Sequence, residues 1–80
     1  MMTTETWARE RLSQRVTPGR VASLQVEKHE GGWWFFLPED APRPALGDIT
    51  EWVVLDDGTC RPVRKGTFAE DIFAEHNARA

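Results

Sequence analysis

Five large apolar residues in a row, Trp33-Trp34-Phe35-Phe36-Leu37, do most to constrain what this 80-residue chain can become. Gly31-Gly32 introduces the run and Pro38 stops it, which leaves it too short and too aromatic for a helix. It reads as a strand that packs on both faces. Aromatic side chains of this size carry most of the burial energy a small core can find. The run is also far too short to span a bilayer, so no membrane association is expected.

The preceding segment supplies the partner strand. Arg20 to Lys28 alternates, with Ala22, Leu24 and Val26 on one face and Ser23, Gln25 and Glu27 on the other. Gly31-Gly32 predicts a two-residue hairpin turn, because both glycines tolerate positive φ. That turn would pair Glu30 with Trp33, Lys28 with Phe35 and Val26 with Leu37. Leu24, Val26, Trp33, Phe35 and Leu37 then share the core face. His29 falls opposite Trp34, and Glu27 opposite Phe36. Trp34 and Phe36 consequently need a second cover, a partner or partial exposure.

A second hairpin follows. Ile49 to Leu55 is a strand, apolar throughout Trp52-Val53-Val54-Leu55 and interior to the sheet. Asp57-Gly58 marks its turn, and Thr59 to Lys65 returns as a polar, basic strand. Pro62 cannot donate to a ladder, so this last strand is expected at an edge. Between the hairpins, Pro38 to Asp48 is an extended surface connection rich in proline and acid.

Helices flank this pattern. Thr4 is a candidate cap for a helix over Trp7 to Val16, with Ala8, Leu12 and Val16 at spacing four and Thr17-Pro18-Gly19 ending it. Thr67-Phe68-Ala69-Glu70 is a capping box, with Thr67 at N-cap and Glu70 at N3. The helix it opens runs to about Asn77. Its apolar face gathers Phe68, Ala69, Ile72, Phe73 and His76. The expected fold is α+β: a four-stranded antiparallel sheet of two hairpins flanked by an N-terminal and a C-terminal helix, in a single domain over residues 1–80. A small SH3-like barrel with helical ends is the alternative.

Charge is unevenly distributed. The formal net charge is −3, and residues 39–57 hold Glu39, Asp40, Asp48, Glu51, Asp56 and Asp57 against Arg43 alone. Arg61, Arg64 and Lys65 form a short basic patch beside them. A net negative chain is a poor candidate for sequence-independent phosphate binding, which argues against direct nucleic-acid contact. The rival is a single-strand stacking platform made of Trp34, Phe36 and the 61–65 patch.

Catalysis finds little support. Cys60 is the only thiol, which excludes an internal disulfide framework and fits a reducing, cytoplasmic compartment. As a nucleophile it would need His29 or His76 within reach, and no recognisable constellation surrounds it. Asp56-Asp57 is explained by its turn. No zinc spacing, phosphate loop or cofactor motif occurs, so no catalytic residue, metal or cofactor is expected. The N-terminus, Met1-Met2-Thr3-Thr4-Glu5, lacks the apolar core of a signal peptide.

What remains is a small acidic protein that binds another protein, as a monomer or weak dimer. Charge complementarity from Glu39, Asp40, Asp48, Glu51, Asp56 and Asp57 would steer it to a basic surface, with Trp34 and Phe36 as anchors. In size, acidity and lack of a catalytic motif, the chain resembles the small phage-encoded anti-CRISPR inhibitors. The resemblance implies inhibition by occupying a basic nucleic-acid-binding surface of a CRISPR effector complex. It carries no residue roles with it. An accessory or immunity protein for a toxin or enzyme, binding through the same acidic surface, is the alternative.

Overall fold

The computed structural model describes residues 3–41, 49–64 and 66–79. Its elements, in order, are α1 (Glu5–Leu12), α2 (Pro18–Ser23), β1 (Gln25–His29), β2 (Gly32–Phe36), β3 (Trp52–Leu55), β4 (Cys60–Pro62) and α3 (Ala69–Arg79). The strands form one antiparallel sheet in the order β1-β2-β3-β4. This is the expected α+β fold of a four-stranded antiparallel sheet with N- and C-terminal helices. Among the described residues the sheet is open, with β1 and β4 at its edges, so the barrel alternative does not form. The two apolar strands lie inside and the two polar ones outside. Pro62 sits on the edge strand, opposite Trp52.

Each face of the sheet has its own core. On one side, Ala8 and Leu12 of α1, Val21 of α2 and Leu24 bury against Phe35, Val54 and Cys60, with Trp33 and Trp52 packed around them. On the other, Ala69, Ile72 and Phe73 of α3 bury against Val53, Leu55 and Val63, with Trp34 packed alongside. A strand that packs on both faces is what Trp33 to Leu37 requires, and helices on both sides supply it.

The first helix stops earlier than its spacing predicts. Thr4 does cap it, its hydroxyl accepting the N–H of Trp7 at 3.1 Å. The helix ends at Leu12, after which the Ser13 hydroxyl donates to the Arg9 carbonyl at 2.7 Å and competes with the ladder. Gln14 and Arg15 continue as a tighter turn, their N–H groups donating to Arg11 and Leu12. Pro18, expected to end a helix, begins one instead, because its fixed φ suits the first helical position.

The first strand is correspondingly shorter. Residues 20–23 belong to α2, and Val21 and Leu24 are buried while Ala22 is exposed. Spacing three, not two, governs this stretch.

The first hairpin also slips relative to expectation. Its turn residues are Glu30 and Gly31, so that His29 pairs with Gly32, Lys28 with Trp33 and Val26 with Phe35. Glu27 therefore faces Trp34, and Gln25 faces Phe36. A slip of two residues preserves the faces, so the predicted core set survives. The two glycines serve different purposes. Gly31 takes φ +98°, as a turn demands. Gly32 lies in the strand, where a Cβ would sit 2.3 Å from the Val54 carbonyl oxygen. It is required for closeness, not for conformation.

The capping box does not form as predicted. α3 begins at Ala69, and the Phe68 carbonyl accepts the N–H groups of Asp71 and Ile72. Phe68 thus occupies the cap position, and the Thr67 N–H donates to Arg64 in the preceding turn. Phe68 leaves the apolar face it was expected to join and stands 68% exposed. His76 is half-buried at the rim of α3.

Candidate protein-binding groove

β2 presents Trp34 and Phe36 on the α3 side of the sheet, two residues apart. Their rings lie 4.3 Å apart at 31°. α3 covers only part of this side. Its C-terminal end reaches the first hairpin, where Asn77 Nδ2 donates to the Glu30 carbonyl at 3.0 Å. Phe73 approaches Gly32 and stacks on His29 at 4.9 Å. The C-terminal part of the helix thus lies over the hairpin end, and Phe36, toward the opposite end, stays half-exposed.

The uncovered space is a groove of about 730 Å³ lined by His29, Trp34, the 49–51 segment, Val63, Arg64 and residues 66–70. Its volume lies within the range of pockets that hold a ligand several residues long. Trp34 forms part of the wall and directs its Nε1–H to Glu51 Oε1 at 3.0 Å. His29 meets Trp34 edge to face at 5.9 Å. Phe68 stands at the N-terminus of α3 as the exposed large hydrophobic residue among those described. Among the described lining residues, Glu51 and Glu70 are acidic and Arg64 is basic.

The acidic residues predicted as a binding set do not form one surface. Glu39 and Asp40 are exposed in the turn after β2, closed by the Ala41 N–H to the Pro38 carbonyl. They lie at the end of the sheet that holds Phe36 and Glu51. Asp56 and Asp57 lie at the other end, in the β3–β4 turn. Four residues of nearly extended chain separate Glu51 from Asp56, roughly 17 Å from one to the other. Asp48 lies outside the described residues.

Asp56 and Asp57 are also engaged within the molecule. Asp56 Oδ1 accepts from the Thr3 hydroxyl at 2.8 Å and lies 3.7 Å from Lys28 Nζ. Thr3 in turn accepts from Trp33 Nε1 at 2.9 Å, so Asp56 helps moor the N-terminal segment. Asp57 Oδ1 accepts the Thr59 N–H at 2.9 Å. That bond, the Thr59 hydroxyl and the positive side of His76 hold its carboxyl below the usual range, against a smaller opposing effect of burial.

Arg61 and Arg64 separate in the same way. Arg61 lines a shallow charged recess with Asp57, Glu75, His76 and Arg79, whereas Arg64 lines the groove. Lys65 lies outside the described residues. The basic patch and the aromatic pair thus make no continuous track among the described residues.

Cys60 is buried beside Arg11 and Arg15, at a depth where burial pushes its thiol above the usual 9.0 and the two arginines offset part of the shift. Neither histidine is placed with it: His29 stacks on Phe73 and His76 lines the recess of Arg61. Among the described residues, no three His, Cys, Asp or Glu side chains converge as metal ligands. No helix among them is long and apolar enough to cross a membrane.

Phe68, the most exposed anchor, escaped sequence reasoning because the capping box appeared to place it inward. Its signal was that Ala69, Ile72 and Phe73 already complete an i, i+3, i+4 face, which leaves Phe68 outside it. No family model matches the chain, and no curated protein or solved structure matches it.

Proposed function

We propose that this chain is a small protein-binding inhibitor, not an enzyme, acting in the cytoplasm as a monomer or weak dimer. Its contact surface is the groove between Trp34 and the N-terminus of α3. The observation that carries the reading is a groove lined by Trp34, the 68% exposed Phe68, Glu51 and Glu70, with Phe36 packed against Trp34 beside it. Half-exposed aromatics ringed by polar groups are the composition of an interface centre. Glu39 and Asp40, exposed at the same end of the sheet, add negative charge that favours a basic partner.

The partner is a protein surface that otherwise holds phosphates. A CRISPR effector subunit is the leading target, on the resemblance in size and acidity. A toxin or enzyme neutralised by an accessory or immunity protein is the alternative and uses the same surface. Direct nucleic-acid binding is disfavoured, because carboxylates line the groove.

The test is a plasmid-interference assay with CRISPR effector complexes, joined to binding kinetics at low and high salt. Phe36→Ala with Phe68→Ala is expected to weaken inhibition tenfold or more. Glu39→Lys with Asp40→Lys slows association and flattens its salt response. Undiminished interference at excess protein removes the CRISPR target and leaves the toxin or enzyme. Inhibition that survives both double variants refutes the groove as the contact surface.

A further inference from the structure

We infer that the groove is a receptor for an arginine side chain of the partner. The inference rests on the protein-binding reading and names what that surface recognises. Trp34 offers a half-buried indole, and His29 and Phe68 add aromatic surface around the same space. Glu51 and Glu70 bring two carboxylates to the lining. Aromatic faces attract cations, and carboxylates accept paired N–H bonds from a guanidinium. One ligand chemistry satisfies both: a planar cation that stacks and donates in a fork. A lysine ammonium stacks less well and donates from a point, so arginine is the better fit.

Glu51 is already turned toward this task. Its Oε1 accepts from the Trp34 indole at 3.0 Å, which holds the carboxylate beside the ring it would serve. A carboxylate has further acceptor positions for a guanidinium. Arg64 lines the same groove, yet no ion pair joins it to Glu51 or Glu70 among the described residues. Among the described residues, Arg64 therefore leaves both carboxylates unpaired. At about 730 Å³ the space exceeds one side chain and admits the flanking residues of a short extended segment.

The docked partner is thus a segment with arginine flanked by small or apolar residues.

The Trp34 indole N–H provides a local reporter, since it donates to Glu51 itself. The experiment titrates the isotope-labelled chain with the capped tripeptide Ala-Arg-Ala, followed by nitrogen–proton correlation spectra. The citrulline peptide, equal in shape and neutral, and the lysine peptide serve as comparisons. Trp34→Phe assigns the indole signal. The arginine peptide is expected to shift that signal and the Gly66, Ala69 and Glu70 amides saturably. The lysine peptide should bind several-fold more weakly, and citrulline should produce no saturable shift. Glu51→Gln with Glu70→Gln keeps an acceptor for the indole but removes both charges, and should weaken arginine binding at least fivefold. Asp57→Asn, at the other end of the sheet, should leave it unchanged.

Equal shifts from arginine and citrulline, or arginine binding undiminished in the Glu51→Gln, Glu70→Gln variant, would overturn the inference. So would absence of any saturable shift at millimolar peptide. In each such case the inhibition assay still separates the two ideas. Loss of inhibition in the Phe36→Ala, Phe68→Ala variant would keep the groove as an interface with another occupant. Retention there would remove the protein-binding reading as well.

Discussion

Phe35→Ala is the sharpest test of how this chain builds its core. Phe35 is 0% exposed and the largest fully buried side chain. It sits mid-strand between Val26 and Trp52 and packs into the cluster of Ala8, Leu12, Val21, Leu24 and Val54. The Arg9 guanidinium lies over its ring at 5.4 Å while donating to the Val21 and Leu24 carbonyls, so the ring also braces the α1–α2 contact. Truncating a buried phenylalanine costs about 3–5 kcal/mol, transfer and cavity together. Loss of the cation–π contact at this half-open site falls within that range. The total stability of a chain this size is about 4–12 kcal/mol, so the variant loses about a quarter or more of it. With a urea slope of about 1–1.5 kcal/mol per molar, the midpoint should fall by about 2–5 M. Phe36→Ala is the paired control: its ring is half-exposed on the other face and its loss should cost about 1 kcal/mol. Urea unfolding followed by circular dichroism measures both. A Phe35→Ala midpoint within about 0.5 M of the parent, or a larger loss in Phe36→Ala, would refute the facing of β2.

Three further outcomes follow from named contacts. Gly32→Ala should cost at least about 2 kcal/mol, because the new methyl meets the Val54 carbonyl and the Leu55 backbone, neither of which can yield cheaply; a urea midpoint equal to the parent's would show that β2 and β3 are not this close. Asp57 has a depressed carboxyl pKa, so the stability its ionised form contributes is complete above the ordinary value near 3.8 and is lost as pH falls through the lower folded value. The gap between parent and Asp57→Ala, small because the group is exposed, should therefore be open above the ordinary carboxylate value and close in strong acid, in thermal melts across the acid range. Cys60, with its thiol buried and its pKa raised, should react with iodoacetamide at pH 7.5 at least tenfold more slowly in the folded chain than in urea; equal rates would place the sulfur at the surface.

Local chemistry in the chain was sufficient for the fold class. The aromatic run between glycines and proline determined a central strand, and Asp57-Gly58 determined the second turn, with Gly58 at φ +92°. Pro62 determined an edge, Thr4 determined a cap, and the period of Ala69, Ile72 and Phe73 determined a helix with one apolar face. These signals act over a few residues and need no distant partner.

Tertiary structure decided what depended on contacts far apart in the chain. The hairpin register was settled by Gly32 fitting under the Val54 carbonyl, an approach across strands that no local pattern records. The helical state of residues 18–23 was settled by burying Val21 and Leu24 together, where alternation and helical spacing competed over too few residues. The acids between 39 and 57 are neighbours in sequence but straddle a strand, so folding sends Glu39, Asp40 and Glu51 to one end of the sheet and Asp56 and Asp57 to the other. The groove itself exists only because α3 docks over the hairpin end and stops short of Phe36, leaving Trp34 and Phe68 to frame a space that no segment contains alone.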